Sequence, residues 1–394
     1  MSLNPFIIDC QAQITAVAVR RLRRGHLWIY AGELEREPAG AAPAIVQVID
    51  SADNVLGYAF YSRQSQIRLR LFSRDHEPPT PELLRIKIRN SIRRRNATFS
   101  DTQACRLVFG EGDLLPGIIV DRYGDYLVLQ TLSSGADAIK PMLVDILREE
   151  LNPTGILQRN DVKARRLEGL EEIRNVLWGT VPDEIEIAED GVRFIVDLLR
   201  GQKTGFFLDQ RENRIAAKKY ASGRALDCFT NTGAFALQFS SRCESVLAVD
   251  ISRDSLQLAR RNSEINGIHN IEFTEGNVFD FLRELESDGR SFDTICLDPP
   301  AFAKNRKALA GARSGYKEIN LRALKLLKPE GILITSSCSY HMSESDFFDL
   351  LCDAAHDCHR SIQVIERRSQ SSDHPILAGM PETRYLKCFF LRAL

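Results

Sequence analysis

The sequence predicts an α/β protein: a doubly wound, mostly parallel sheet of seven strands with the last one antiparallel, preceded by a small β-rich domain and a central α+β domain. Three observations carry this. Apolar strand runs and amphipathic helix runs alternate five times between residues 225 and 336, the pattern of βα units in a parallel sheet. Two further strand runs, residues 362–366 and 385–391, are joined by a loop at 373–383 too short for a crossover helix, so the last strand enters antiparallel. Short apolar runs bounded by turn residues fill the chain before residue 78.

In order along the chain, residues 45–49, 55–61 and 67–72 read as strands, separated by Asp53-Asn54 and Arg63-Gln64-Ser65. The stretch Glu77-Pro78-Pro79-Thr80-Pro81 forbids a continuing strand and leads into a charged helix at Glu82. The first domain is therefore 1–76. A second, 77–185, holds strand runs at 106–108, 117–120 and 126–131, a helix at 140–151 and a strand at 155–159, and carries no evident chemistry. In the third, 186–394, strand 225–228 leads to a helix from Gly233, strand 245–250 to helix 252–266, and strand 271–274 to a helix near Phe279. Strand 292–297, helix 316–327 and strand 332–336 complete the alternation.

With 44% hydrophobic and 27% charged residues, the composition is globular and excludes disorder. No apolar run approaches the roughly 18 residues of a membrane span and no signal-peptide core follows Met1-Ser2-Leu3, so the chain reads as soluble and cytoplasmic. Nine scattered cysteines with no CxxC pair argue against a disulfide framework or a zinc ribbon. Cys352, His356, Cys358 and His359 lack a second ligand pair at zinc spacing, and no metal is expected. The net charge of −1 conceals an asymmetry: residues 1–100 carry 15 Lys+Arg against 9 Asp+Glu. Fourteen of those cations are arginines, twelve of them grouped as Arg20, Arg21, Arg23, Arg24, then Arg63, Arg68, Arg70, Arg74, then Arg89, Arg93, Arg94, Arg95. Guanidinium groups fork onto phosphates and stack on bases, which favours a nucleic-acid partner.

In such sheets ligands bind beyond the carboxyl ends of the strands. The first strand ends in Asp227-Cys228-Phe229-Thr230-Asn231-Thr232-Gly233, a loop of small residues open to a ligand but without a GxGxxG fingerprint. The second ends in Asp250-Ile251, where a carboxylate can accept from a ribose diol. After the third, the Asn277 amide of Gly276-Asn277-Val278 can pair with an adenine edge. The fourth ends in Asp298-Pro299-Pro300-Ala301-Phe302, two prolines stiffening a loop that presents an acid and an aromatic ring.

This ordered set resembles the class I S-adenosylmethionine-dependent methyltransferases, whose Rossmann-like sheet also ends in an antiparallel strand. The resemblance implies that Asp227, Phe229 and the backbone of Thr230, Asn231 and Gly233 hold the methionine part of that cofactor. It gives Asp250 and Ile251 the ribose, Asn277 and Val278 the adenine, and sets Asp298 between cofactor and target base. Asn277 departs from the Asp common in related enzymes.

The fifth strand ends in Ser336-Ser337-Cys338-Ser339-Tyr340. Carbon 5 of a pyrimidine is a poor nucleophile, and a thiolate adding to carbon 6 turns it into a good one. Cys338 and Asp298 are thus the expected catalytic pair, the thiol's pKa lowered by a helix beginning near Ser343.

From end to end the chain is similar to the large-subunit ribosomal RNA methyltransferase I family, which makes 5-methylcytosine in bacterial 23S rRNA. Arg24-Gly25-His26-Leu27-Trp28-Ile29-Tyr30 matches that family's RNA-binding PUA domain. Gln202-Lys203-Thr204-Gly205-Phe206-Phe207-Leu208-Asp209-Gln210-Arg211 matches a segment folded as a lid over the cofactor. The likeness implies S-adenosylmethionine as cofactor and 23S rRNA or a large-subunit precursor as partner. It adds Phe207 and Gln210 to the cofactor site, and Lys203, Pro299 and Phe302, with Arg20, Arg21, Arg23 and Arg24, to the RNA contacts. No membrane partner is expected, and the oligomeric state, a homodimer included, stays open. Other cytosine enzymes carry a second cysteine where Ala301 stands, so release through a second thiol is not expected. His374 reads as a solvated loop residue. The competing readings are methylation of a base amino group, which needs no cysteine, uracil carbon 5 methylation, and a non-catalytic RNA-binding assembly factor.

Overall fold

In the computed structural model, which describes residues 5–39, 44–99, 102–303 and 308–394, the apolar runs of the N-terminal region pair into a six-stranded sheet. Its order is Trp28–Tyr30, Ile67–Ser73, Val55–Tyr61, Ile45–Ile49, Gln11–Ile14, Leu34–Arg36. Gln11–Ile14 and the helix Ala16–Arg23 behind it escape a sequence reading because each is too short to show a period. A second sheet follows, in the order Ile173–Gly179, Gly155–Asn160, Tyr126–Thr131, Ile118–Tyr123, Ala104–Phe109. Both sheets feed one apolar cluster, in which Ile45, Phe60 and Phe72 of the first meet Leu107, Val120, Leu129 and Ile156 of the second and Leu84, Ile88 and Ile92 of the helix Pro81–Thr98. Contacts divide the chain into two units, and these sheets belong to the unit made of Met1–Ile187, Val196–Leu208 and Ser372–Thr383. A two-stranded hairpin, Glu184–Glu189 and Val192–Asp197, is divided between the units, Ala188–Ile195 being counted with the second.

The second unit is the alternating region. Helix α1 (Arg211–Tyr220) precedes strands β1 (Gly223–Cys228), β2 (Cys243–Asp250), β3 (Ile271–Glu275), β4 (Phe292–Leu297), β5 (Leu327–Ser337), β6 (Ile362–Arg368) and β7 (Lys387–Ala393). Between them lie α2 (Ala234–Ser240), α3 (Arg253–Ile265), α4 (Val278–Ser287), α5 (Leu309–Leu326) and α6 (Glu344–Asp357). The sheet order is β3-β2-β1-β4-β5-β7-β6, with β7 antiparallel to both neighbours. Alternation within each strand feeds two cores. Leu226, Ile295, Leu333 and Phe389 face α4, α5 and α6, whereas Ala225, Cys296, Ile334 and Phe390 face α1, α2 and α3. Buried on both faces, the central strands read as near-continuous apolar runs. Ser252 caps α3 by accepting from the Ser255 amide at 3.2 Å. Among the described residues no helix is long and apolar enough to cross a membrane.

Candidate active site

Strand β1 ends at Cys228, and the loop after it is held in an unusual backbone. Phe229 and Asn231 both take the left-handed conformation, at φ 63° and 51°. For a phenylalanine this costs about 1–2 kcal/mol, offset by fixed contacts: the Thr230 amide donates to the Val249 carbonyl at 3.1 Å and the Asn231 amide to Asp250 Oδ2 at 2.9 Å. Backbone strain of this kind gathers at ligand clamps. Gly233 has a different reason from the one expected. At φ 81°, a Cβ there would meet the Ala259 Cβ and Leu237 Cδ1 at 3.2 Å, so the glycine lets the helices pack rather than lets a ligand approach.

Asp227 lies under this loop, 1% exposed. Its Oδ2 accepts from the Thr230 hydroxyl at 2.5 Å and the Ala236 amide at 3.1 Å, while Oδ1 is buried and finds no partner at hydrogen-bond distance among the described residues. Burial pushes its pKa up from 3.8 to about 7, opposed by the Thr230 and Ala236 donors. Between those values the folded chain holds a proton that the unfolded chain has released, so this group's stabilisation is full below about pH 4 and is lost as pH rises through 7. Urea unfolding at pH 5 to 8 should show stability falling with a slope of up to about 1.4 kcal/mol per unit from this carboxyl. Asp227→Asn should flatten that slope, and an unchanged slope would assign it elsewhere.

Asp250, half-buried at the end of β2, accepts one amide on each oxygen: Asn231 at 2.9 Å and Ser252 at 2.8 Å. Ile251 beside it is 69% exposed, an apolar side chain left uncovered at the strand end. Asn277 caps α4, its Oδ1 accepting from the Phe279 amide at 2.9 Å. That oxygen is engaged, and the exposed amide nitrogen is the end that remains. Val278, by contrast, is buried in the core, so its side chain is not available to a ligand.

The loops after β4 and β5 converge. These strands pair in parallel, Leu297 opposite Thr335, and Asp298 and Cys338 follow on the same edge. Cys338 is half-buried, and its thiol donates weakly to the Pro299 carbonyl at 3.9 Å. Asp298 Oδ1 accepts from Gln210 Nε2 at 2.7 Å. Behind it, Gln210 Oε1 accepts from Asn213 Nδ2 at 2.6 Å, and Asn213 Oδ1 accepts from Arg368 Nε at 3.0 Å. The guanidinium, which can only donate, thus sets the direction of both amides. Asn213 and Arg368 were not singled out from the sequence, because nothing local marks them.

Several expected contacts are corrected. Pro299 is buried and offers its carbonyl to the thiol rather than its ring to a substrate. Phe302 packs into an aromatic cluster, its centroid 4.6 Å from Tyr316, 5.8 Å from Phe279 and 6.3 Å from Phe229. Arg21 pairs with Glu33, donates to the Trp28 carbonyl at 2.8 Å and lies over the Tyr30 ring; it builds the domain. Arg70 and Arg95 are likewise buried against Glu168 and Asp113. Arg20, Arg23 and Arg24 are exposed and enter no ion pair among the described residues.

Lys203 and Phe207 belong to the first unit, the exposed ammonium 4.5 Å from the ring centroid. Their segment is anchored within that unit. The Phe206 amide donates to the Tyr123 hydroxyl at 3.2 Å, Tyr123 and Thr204 hydroxyls lie 3.0 Å apart, and Thr204 donates to Asp121 at 2.5 Å. His374, expected in solvent, is 2% exposed with Nδ1 2.8 Å from Asp373. Among the described residues no His/Cys/Asp/Glu cluster could hold a metal ion.

A PUA-like domain family matches residues 13–74, and an S-adenosylmethionine-dependent methyltransferase family matches residues 169–388. A ribosomal RNA large subunit methyltransferase I from Tolumonas auensis is 41% identical over 95% of this chain and 97% of its own, and one from Erwinia tasmaniensis is 39% identical over the same shares. The chain belongs to the ribosomal RNA large subunit methyltransferase I family. Its cofactor is S-adenosylmethionine. Solved structures agree on the fold of this methyltransferase. A protein from Streptococcus mutans assigned as an S-adenosylmethionine-dependent methyltransferase superposes with a TM-score of 0.82, and one crystallised with S-adenosylhomocysteine with 0.85. Each is 22% identical and covers 97% of this chain and 99% of its own. The residues present fit the cofactor: among the described residues a buried carboxylate oxygen of Asp227 lacks a donor, and Asp250 and exposed Ile251 stand at the end of the neighbouring strand.

Proposed function

We propose that this rRNA methyltransferase forms 5-methylcytosine in 23S rRNA through a covalent bond between Cys338 and the base. The observation that carries the reading is the half-exposed Cys338 thiol at the Asp298-Pro299 strand end, 3.9 Å from the Pro299 carbonyl. Asp227, Phe229 and the Thr230, Asn231 and Gly233 backbone would hold the methionine part of the cofactor, Asp250 and Ile251 the ribose, and the Asn277 amide with the Val278 backbone the adenine. Bound S-adenosylmethionine supplies an electrophilic methyl group on a sulfonium.

Cys338 acts first: its sulfur bonds to carbon 6 of the cytosine, and the displaced π electrons make carbon 5 nucleophilic. Asp298, held by Gln210, accepts a hydrogen bond from the 4-amino group or protonated N3 and so favours the ring that takes the thiolate. After carbon 5 has taken the methyl group it gives its proton to a base, the carbon–sulfur bond breaks, and Cys338 leaves as thiolate with the ring restored. RNA carrying 5-fluorocytosine cannot lose that proton. It should therefore trap an adduct of protein plus RNA at Cys338, while digestion of normal product yields 5-methylcytosine. A product methylated on an amino group, with no adduct, would overturn the reading.

The PUA-like residues would supply the RNA contacts, with Arg20, Arg23 and Arg24 on phosphates. Changing all three to Glu should weaken RNA binding and reduce the slope of log affinity against log salt by about 2–3, since each phosphate contact contributes close to one unit. Filter binding at several salt concentrations measures it, and an unchanged slope would move the contact elsewhere.

A further inference from the structure

Lys387 opens β7 directly opposite Ser337, the residue before Cys338. It is 4% exposed, and its ammonium donates to the Ser339 carbonyl at 2.7 Å and the Tyr385 carbonyl at 2.9 Å. An ammonium has three donors, so one remains unsatisfied among the described residues. No carboxylate pairs with it there. A buried cation held only by neutral carbonyls is costly, and burial pushes this one down to about 8. The charged and titratable groups that act on it are Cys338, Arg384 and Glu344. Arg384 and Glu344 are paired with each other, which leaves Cys338 as the group able to supply the missing negative charge. The helix α6 cannot serve instead. Its N-terminal turn is closed by the Ser343–Asp346 capping box, which engages its free amides.

We propose that Lys387 is the positioning cation that holds Cys338 as a thiolate, the thiol proton passing to solvent and the sulfur charge offsetting that of the buried ammonium. Its role in methyl transfer rests on Cys338 being the nucleophile, but the charge coupling is measurable without any turnover.

The test is alkylation of the full-length protein by iodoacetamide from pH 6 to 10, read peptide by peptide in a mass spectrometer, with exposed Cys352 as internal reference. In the unaltered protein Cys338 should reach half its maximal rate below the pH of an ordinary thiol, about 8.5, and so below Cys352, whose pKa is raised by partial burial and by Asp349 and Asp353. Lys387→Met should move that midpoint upward and make Cys338 about ten-fold less reactive at pH 7, a shift of one unit, while Lys387→Arg retains the low midpoint. A Cys338 midpoint at or above about 8.5 in the unaltered protein overturns the proposal without needing any variant to fold. A Lys387→Met profile superimposed on the unaltered one does so too. The failures separate cleanly: Cys338→Ser that still methylates rejects the nucleophile and leaves the alkylation shift standing, whereas an inactive Cys338→Ser with no alkylation shift rejects only the lysine's role.

Discussion

Cys338→Ser should lose methyl transfer by roughly four orders of magnitude or more, because a hydroxyl is scarcely ionised at neutral pH and cannot replace a thiolate as the nucleophile of a covalent mechanism. The loss should fall on kcat. Binding of S-adenosylmethionine, followed by calorimetry, should be unchanged, since the residues proposed to hold it lie at other strand ends. Folding should change by less than about 1 kcal/mol: the sulfur is half-buried and its contact with the Pro299 carbonyl is weak, at 3.9 Å. Activity is measured by methyl incorporation into rRNA from cells lacking the gene. Retained activity would turn the assignment toward an exocyclic amine, where an acid and an aromatic ring suffice. Loss of activity together with loss of cofactor binding would show a disturbed fold rather than a missing nucleophile.

The parts of this site that could be read from the sequence are those whose chemistry is local. Strand runs buried on both faces are continuous and apolar, so β1 to β5 stand out, and the short 373–383 loop forces β7 to run antiparallel. The strand-end acids are visible because a carboxylate closing an apolar run stands out against it. What stayed hidden depends on partners remote in the chain. Arg21, Arg70 and Arg95 look identical in composition to Arg20 and Arg23, yet their carboxylates lie 12, 98 and 18 residues away. The edge strand Ile173–Gly179 is almost wholly exposed and shows no alternation of burial. Lys387 carried one faint signal, a charge heading the apolar run Cys388-Phe389-Phe390-Leu391. A lysine at a strand start normally reaches solvent, and only the pairing of β7 with β5 reveals that this one does not.

Asp298 should prove the second most sensitive position, and its support makes the effect dissectable. Asp298→Asn removes the negative charge that favours the protonated base, and should lower kcat by about 10²–10⁴-fold, the range typical of a lost proton-directing group. The substitution is nearly isosteric, and Gln210 Nε2 can still donate to an asparagine oxygen, so the loop should stay in place. Gln210→Ala leaves the carboxylate but removes its 2.7 Å donor; about a ten-fold loss is expected, as for a misplaced rather than missing group. Because Gln210 is argued to act through Asp298, the two losses should not multiply. In the Asp298→Asn background, Gln210→Ala should have little further effect, and a double-mutant cycle on kcat measures this directly. Fully multiplicative losses would mean that Gln210 touches substrate or cofactor itself. A second readout is independent of turnover: Asp298 contributes to the raised pKa of Asp227, so Asp298→Asn should let Asp227 ionise at lower pH and shift the fall of stability in the same direction. An unmoved curve would mean that the carboxylates at 227 and 298 are not coupled.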